Sequence, residues 1–204
     1  MQKLLEKLKD KKEFYILSTL LLRSMKKAVY SKTNIGHFGL ASKNYTHFTS
    51  PIRRFPDLTV HRLLKKYLIE KDYSISTINY LENSLVEIAD HSSERELAST
   101  NAERDVNDMK MAEYMESHIG GEYDGIISSV TSFGFFVELP NLVEGLVHIS
   151  TIKGDYYEYV PELLSLIGKS TKKTYRIGDK IKVKVINASK ETAQIDFEIV
   201  GEKW

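Results

Sequence analysis

The stretch GEYDGIISSVTSFGFFVELPNLVEGLVHIS, residues 121–150, decides the fold, because the periodicity of the chain changes there. Within it the apolar side chains Phe135, Val137 and Leu139 alternate with Phe136 and a glutamate. An alternation with a period of two is typical of a strand with one buried face. If Phe135 faces a core, Phe136 has to face the other way, since successive side chains of a strand point to opposite sides.

Similar alternations follow further along the chain, at residues 181–185 and 195–199. The sequence SKET at 189–192 would form the hairpin turn between these two strands. Several short strands within residues 122–204 predict a small barrel, and the five-stranded oligonucleotide-binding (OB) barrel fits this number of strands.

The 121–150 stretch resembles the RNA-binding S1 domain, which reads Gly-x-Val, then Phe-Gly-x-Phe-Val, then Glu-Gly-Leu-Val-His-x-Ser. The corresponding residues here are Gly125 and Ile127, then 133–137, then 144–150. The resemblance implies a barrel that binds single-stranded RNA through Phe133, Phe136 and His148. Exposed rings suit unpaired bases, and each stacked base contributes ~1–3 kcal/mol with little sequence preference. The alternative is that both phenylalanines pack under residues 151–175 and that the histidine is structural.

Upstream of residue 121 the apolar residues recur at spacings of three and four, which predicts helices. The first would cover residues 1–30 and the second residues 51–71. An apolar stripe from Ile78 to Ile88 predicts a third, and Ser93 with Glu96 resembles a capping box that would start a fourth. The side of this last helix that is expected to be buried comprises Ala98, Ala102, Val106, Met109 and Ala112.

The stretch HFGLASKNYTHFTSPIRRFPDLTVHRLL, residues 37–64, carries the densest set of functional side chains. Ser50 is a good helix cap and Pro51 suits the first turn of a helix. A helix that starts there would place Arg53 and Arg54 beside free backbone N–H groups at the positive end of the dipole, which makes a phosphate site. The alternative is a capped helix whose arginines pair with surface carboxylates.

The 37–64 stretch resembles the signature of the ribonuclease II / ribonuclease R family of exoribonucleases, and the ribonuclease R branch is the closer match. The matching segments are GHFGLA at 36–41, YTHFTSPIRRFPDL at 45–58 and HRLL at 61–64. The resemblance implies the C-terminal part of an RNB catalytic domain followed by an S1 domain. Members of this family degrade single-stranded RNA processively from the 3′ end to nucleoside 5′-monophosphates, with a divalent metal that is usually Mg²⁺.

By this resemblance Arg53 is the catalytic residue that contacts the phosphate at the cleavage point, where negative charge grows in the transition state. Arg54 would hold a neighbouring phosphate or pair with Asp57. The other residues in this half of the chain that the resemblance places at the RNA are Tyr45, Thr49, Ser50 and Glu103. The alternatives are that the first three shape the turn and that Glu103 is an exposed helix residue.

The family holds its metal ions on an aspartate cluster early in the catalytic domain, and nothing in this sequence resembles that cluster. We therefore expect Asp57, Asp105 and Asp108 to be structural or solvated. The resemblance implies Mg²⁺ in the parent enzyme, no metal bound by this chain, and no nuclease activity of the chain alone. The expected partners are single-stranded RNA and the missing N-terminal part of the same protein.

Composition and charge narrow the possible classes of protein further. The net charge of +1 divides into +11 over residues 1–71, −8 over 72–117 and −2 over 118–204. This asymmetry predicts a surface for a polyanion, or else two helical blocks that face each other with paired charges. The chain has no cysteine, which excludes disulfides and Cys-ligated zinc and fits a cytoplasmic protein. No apolar run is long enough to span a bilayer, so no membrane association is expected.

Together these patterns predict an α+β chain with two domains. Residues 1–118 would form the helical C-terminal portion of an RNB catalytic domain, and residues 119–204 an S1-like five-stranded OB barrel. The expected function is that of a fragment of a hydrolytic 3′-to-5′ exoribonuclease. The alternatives are a non-catalytic single-stranded RNA-binding protein and a structural protein whose charged halves bind protein partners.

Overall fold

The computed structural model describes residues 18, 21, 22 and 24–201 of the 204-residue chain. Residues 26–102 form one compact unit, and residues 103–201 belong to a second. Most of the helix predicted over residues 1–30 lies outside the described residues. Its predicted end is wrong, because residues 26–30 have no helical hydrogen-bond pattern.

The first unit consists of an irregular segment followed by helices. Residues 26–54 form loops and turns, with a short antiparallel bridge between His37 and Ser42. Helix α1 covers Phe55–Leu64 and continues as a π-helical turn over Lys65–Ile69. Helix α2 covers Ile75–Glu116.

Helix α1 begins four residues later than predicted. The Pro in its first turn is Pro56, and Arg54 occupies the cap position with extended backbone angles. Pro51 instead belongs to a separate turn in which the Ser50 carbonyl accepts hydrogen bonds from the backbone N–H groups of Arg53 and Arg54, at 3.3 and 3.0 Å. Both prolines are compatible with a first helical turn, but Ser50 is a preferred cap and Arg54 forms no side-chain cap, so the local rules favour the start that the structure does not use.

The two helices predicted between residues 78 and 117 are one continuous helix, so the capping box at Ser93 was wrong. The Ser93 hydroxyl donates to the Ala89 carbonyl one turn earlier, which a serine inside a helix can do. It also accepts a hydrogen bond from the Tyr30 backbone N–H at 2.9 Å. Of the side predicted to be buried, Ala112 is buried and Met109 half-buried, whereas Ala98, Ala102 and Val106 are exposed.

The second unit contains a closed five-stranded barrel, which confirms the predicted fold class. The strands of the unit are β1 (Glu122–Thr131), β2 (Gly134–Glu138), β3 (Glu144–His148), β4 (Tyr157–Val160), β5 (Ser165–Gly168), β6 (Thr174–Arg176), β7 (Lys180–Ser189) and β8 (Gln194–Ile199). The barrel order is β1-β2-β3-β8-β7, with β3 and β8 parallel and the other pairs antiparallel. Short 3₁₀ helices cover Ile149–Thr151 and Pro161–Leu163.

The barrel core follows the alternation read from the sequence. Phe135, Val137, Val183, Val185 and Phe197 are fully buried, and the β7–β8 connection is the predicted hairpin. The end of α2 adds Ala112 and Met115 to the same core, so this helix end is part of the barrel's hydrophobic interior.

Strands β4, β5 and β6 form a separate three-stranded sheet against the barrel. Its inner side contributes Tyr157, Leu166 and Tyr175 to the core, and the Tyr175 ring stacks on Phe135 with centroids 5.0 Å apart. Two neighbouring tyrosines of this segment have different environments, because Tyr157 is buried whereas Tyr156 is 77% exposed.

Candidate nucleic-acid interface

The turn before α1 is organised by one buried carboxylate. Asp57 is fully buried, and its Oδ2 atom accepts hydrogen bonds from the Ser50 backbone N–H at 2.7 Å and from Nη2 of Arg54 at 2.8 Å. Burial pushes the pKa of Asp57 upward, but the Ser50 N–H and the Arg54 guanidinium outweigh it and hold the pKa below its usual value. The two ends of the turn are thus tied to one ionised group.

Arg54 forms the ion pair that the sequence allowed for. The hydrogen bond to Asp57 raises the pKa of Arg54, and the side chain is only 18% exposed. Within the described residues, its Nε atom and the Oδ1 atom of Asp57 are buried without a hydrogen-bond partner. Arg54 therefore stabilises the turn, and a direct contact with phosphate stays a prediction.

Arg53 has the opposite environment. Its side chain is exposed, and within the described residues its guanidinium forms no ion pair or hydrogen bond. It precedes α1, so the expected position in the first turn of a helix was wrong. Arg53 is instead a solvent-facing cation at the tip of a turn whose base is tied to Asp57.

Of the other predicted contact residues in this unit, Tyr45 is half-exposed, Thr49 is exposed and Ser50 is half-buried. The Tyr45 ring packs edge-on against His37 and His47, with centroid distances of 5.0 and 5.8 Å. Tyr45 also lines a cleft of about 620 Å³.

The same cleft contains two residues that the sequence reasoning missed. The Tyr30 hydroxyl lies 2.9 Å from Nδ1 of His47, and both rings line the cleft together with Glu96. Burial and then the Glu96 charge raise the pKa of Tyr30. The only sequence signal was the position of His47 inside the YTHF motif, since Tyr30 was assigned to a helix.

Glu103 lies on α2 in the second unit. Its side chain is exposed and forms no ion pair or hydrogen bond with other described residues. Its predicted contact with nucleotide stays a prediction.

The predicted aromatic pair lies at β2, with Phe136 on its outer face and Phe133 in the turn directly before it. Phe133 is 47% exposed, and Phe136 is half-buried rather than fully exposed. Their rings are perpendicular, with centroids 6.2 Å apart. Phe136 pairs with Ser129 on β1 and with Leu146 on β3, so it sits at the middle of a three-strand surface.

His148 ends β3 beside this pair, in register with Gly134. Its Nδ1 atom accepts a hydrogen bond from the Ser150 backbone N–H at 3.2 Å and lies 2.7 Å from the Ser150 hydroxyl. Because Nδ1 is an acceptor, the neutral ring carries its proton on Nε2. The exposed ring therefore presents a hydrogen-bond donor on the aromatic surface. Gly134 has a φ of 152°, and a Cβ there would overlap the Val147 carbonyl, so only glycine allows this approach of β2 to β3.

No metal centre is present within the part of the chain that the structure describes, where no three His, Asp or Glu side chains converge. Asp105 and Asp108 are exposed on α2, and the Oδ2 atom of Asp57 is hydrogen-bonded to Ser50 and Arg54. These side chains do not fit the two-metal site of a phosphodiesterase. Among the same described residues, no helix is long and apolar enough to cross a bilayer.

Two known families match separate parts of the sequence. The RNB domain family matches residues 1–70, and the S1 RNA binding domain family matches residues 116–200. Ribonuclease R 1 of Lactococcus lactis subsp. lactis (strain IL1403) is 53% identical over 198 residues, which are 97% of this chain and 24% of the relative. Ribonuclease R of Thermotoga maritima is 50% identical over 204 residues, 99% of this chain and 29% of the relative. The chain thus spans roughly a quarter of the length of these curated relatives.

Solved structures of a ribonuclease R also match this chain. The apo form of Mycoplasma genitalium RNase R superposes with a TM-score of 0.88 at 36% identity, over 96% of this chain and 31% of the solved one. The same protein in complex with ribose-methylated single-stranded RNA gives the same values. Its complex with double-stranded RNA gives a TM-score of 0.73 at 30% identity, over 96% of this chain and 29% of the solved one.

Proposed function

Because this chain belongs to the ribonuclease R family, we propose that it forms the C-terminal part of a 3′-to-5′ exoribonuclease that hydrolyses single-stranded RNA to nucleoside 5′-monophosphates. Within that enzyme it supplies an RNA-binding barrel and one phosphate-contacting arginine. The match of residues 1–70 to the RNB domain favours this proposal over a purely non-catalytic RNA-binding protein.

The observation that supports a catalytic role is the exposure of the Arg53 side chain. Arg53 is an exposed guanidinium on a turn tied to a buried, ionised Asp57, and no described residue occupies its N–H donors. Such a group stabilises negative charge that grows on a phosphate oxygen during attack by water. Arg54 contributes indirectly, since its pairing with Asp57 sets the geometry of the turn.

The binding part rests on the barrel. The Phe133 and Phe136 rings and the exposed His148 offer stacking surfaces and a donor to an unpaired strand. The M. genitalium relative has been solved with single-stranded and with double-stranded RNA, which supports RNA as the ligand of this chain.

We propose that this chain does not hold the catalytic metal. The chemistry that Mg²⁺ supplies in such enzymes is activation of water and neutralisation of the phosphate, and the carboxylates of the described residues do not fit that role. We propose that residues of the parent enzyme beyond this chain hold the metal, and that the enzyme works in the cytoplasm.

A chimaera tests the proposal directly. The segment of L. lactis ribonuclease R 1 that this chain matches is replaced by this chain, and the purified chimaera is incubated with 5′-labelled single-stranded RNA and Mg²⁺. We expect stepwise shortening from the 3′ end with release of nucleoside 5′-monophosphates. Replacing Arg53 with Ala should lower kcat by about 10²- to 10³-fold, the usual effect of removing one charge-stabilising donor.

The matched control is Arg62→Ala, which removes an exposed guanidinium from α1 outside the turn. A chimaera that folds and binds RNA but releases no mononucleotides would refute the proposed activity. An Arg53→Ala variant with the kcat of the Arg62→Ala variant would refute the role of Arg53.

A further inference from the structure

The loop between β5 and β6 has an electrostatic character that differs from the rest of its unit. Residues 118–204 are slightly acidic, with a net charge of −2, yet Lys169, Lys172, Lys173 and Arg176 follow one another without an acidic residue between them. All four side chains are exposed. This surface, which comprises the loop 169–173 and strand β6 up to residue 176, is named the lysine loop.

The lysine loop is held in one conformation by a carboxylate. Asp155 accepts hydrogen bonds from the Thr171 hydroxyl and backbone N–H at 2.6 and 2.7 Å and from the Ser170 N–H at 3.0 Å. These contacts, the Thr171 hydroxyl first, hold the pKa of Asp155 far below its usual value. The negative charge of Asp155 is thus hydrogen-bonded to the backbone of the loop. A loop that is already ordered loses little conformational entropy when it binds a ligand.

An exposed aromatic ring lies beside these cations. Tyr156 is 77% exposed, and Nζ of Lys169 lies 5.6 Å from the centroid of its ring. The Lys169 backbone N–H donates to the Tyr156 carbonyl at 2.8 Å, so the ring and the loop are joined. Lys169 itself is only weakly paired, since the Oε2 atom of Glu158 lies 3.7 Å from its Nζ atom, at the long end of an ion pair.

From this combination we infer that the lysine loop and Tyr156 form a second RNA-contact surface, separate from the Phe133, Phe136 and His148 face. Its lysines contact backbone phosphates, and the tyrosine ring stacks on one base of an extended single strand. Cations interleaved with an exposed ring are the pattern of a sequence-tolerant single-strand groove. The inference rests on the proposed function, since it extends the RNA path from the barrel to the adjoining β4–β6 sheet.

The test is a titration of the whole chain with fluorescently labelled oligouridylates of about 4 and about 16 nucleotides, the two ends of the usual site-size range of an OB barrel. The test variant is Lys169→Gln with Lys172→Gln. The matched control is Lys180→Gln with Lys184→Gln, which removes the same charge from exposed positions on β7. A Tyr156→Ala variant examines stacking.

We expect the Lys169/Lys172 variant to bind the longer RNA at least fivefold more weakly, with unchanged binding of the shorter one. Its log–log salt slope should become shallower by about 1.4, since each lost single-strand phosphate contact removes about 0.7. Tyr156→Ala should weaken the longer complex by about fivefold or more. In the unaltered chain, the backbone amide signals of residues 169–173 should shift on addition of the longer RNA in a ¹⁵N NMR spectrum.

If the Lys169/Lys172 variant matches the Lys180/Lys184 control, or if those amide signals do not move, the second surface does not exist. In that case a Phe136→Ala variant that still weakens binding leaves the proposed function standing. Polyglutamate binding at the loop with no effect of Tyr156→Ala would identify an acidic-protein surface instead. A chain that binds neither oligonucleotide refutes the proposed function as well.

Discussion

At the scale of single residues, the candidate site depends on how three neighbours divide their tasks. Asp57 is buried and charged, Arg54 neutralises it, and Arg53 is left facing solvent. Two adjacent arginines that look equivalent in the sequence thus have different roles, because only one of them points toward the buried carboxylate.

Removing the carboxylate should loosen the turn. An Asp57→Ala variant leaves the Ser50 N–H and the Arg54 guanidinium without their acceptor, and we expect unfolding of this unit to become easier by about 2 kcal/mol. This is less than the 3–5 kcal/mol typical of a deeply buried pair, because Arg54 stays partly hydrated. Urea denaturation followed by circular dichroism measures the change, and an Asp105→Ala variant on the exposed side of α2 is the control.

The same pair predicts a pH dependence. The folded pKa of Asp57 lies below its unfolded value of about 3.9, so its stabilisation is complete above that pH and is lost as the pH falls through the folded pKa. The unaltered chain should therefore lose stability in acid more steeply than the Asp57→Ala variant. Parallel curves for the two proteins below pH 4 would show that the carboxylate is not the anchor of the turn.

The aromatic face of the barrel gives a prediction for RNA affinity. Phe136→Ala should weaken binding of single-stranded RNA by about 5- to 150-fold, the equivalent of ~1–3 kcal/mol for one stacked base. Phe136→Tyr keeps the ring and should bind like the unaltered chain. Fluorescence anisotropy with a labelled oligonucleotide compares them, and equal affinity of the alanine variant would exclude stacking at this position.

At the scale of secondary-structure elements, the end of α2 behaves as part of the barrel. Ala112 and Met115 enter the barrel core, and the Gly120 N–H donates to the Val185 carbonyl at 2.8 Å. On the surface of this contact, the Lys190 N–H donates to Glu116 at 2.8 Å and its ammonium pairs with Glu113 at 2.5 Å. The helix and the β7–β8 hairpin are therefore joined by both apolar and charged contacts.

Titration of Glu113 reports on this connection. Hydrogen bonds from Lys110 and then Lys190 lower the pKa of Glu113 to about 2. The ionised form stabilises the fold above the unfolded pKa of about 4.3, and this contribution is lost as the pH falls toward 2. In NMR titrations, Lys190→Met should raise the pKa of Glu113, and Lys110→Met should raise it more. A pKa that Lys190→Met leaves unchanged would show that the helix and hairpin are not paired in solution.

At the scale of the whole molecule, the described residues include an exposed guanidinium at Arg53 and an aromatic face on the barrel, but no cluster of side chains that could hold a metal ion. Much of α2 between residues 94 and 108 is exposed, and so are large apolar side chains such as Ile52, Ile69 and Ile75. We expect these apolar side chains to pack against parts of the parent enzyme that lie outside this chain.

The chain on its own should therefore bind RNA without degrading it. We expect no change in the length of a 5′-labelled single-stranded RNA after prolonged incubation with pure protein and Mg²⁺, as judged on a denaturing gel. The L. lactis relative is the positive control. Magnesium-dependent loss of 3′ nucleotides by the pure chain would mean that the metal ligands have been missed.

The sequence by itself determined the barrel and the family. Strand alternation is local, since the direction of each side chain follows from its neighbours, so the alternation alone assigns Phe135 and Val137 to the core. The signature at residues 45–58 likewise identified Arg53 and Arg54 as candidate phosphate-binding residues without reference to their geometry.

Only the tertiary structure decided where α1 begins, that α2 is continuous, and how the two arginines differ. Local start rules favour Ser50–Pro51 over Arg54–Pro56. In the structure the Ser50 N–H instead donates to the buried Oδ2 atom of Asp57, seven residues away, and the helix begins after Arg54. Ser93 is a suitable capping residue, but its hydroxyl donates to the Ala89 carbonyl and accepts from the Tyr30 N–H instead. Burial and partner choice depend on which segments meet in space, and short-range patterns in a sequence do not contain that information.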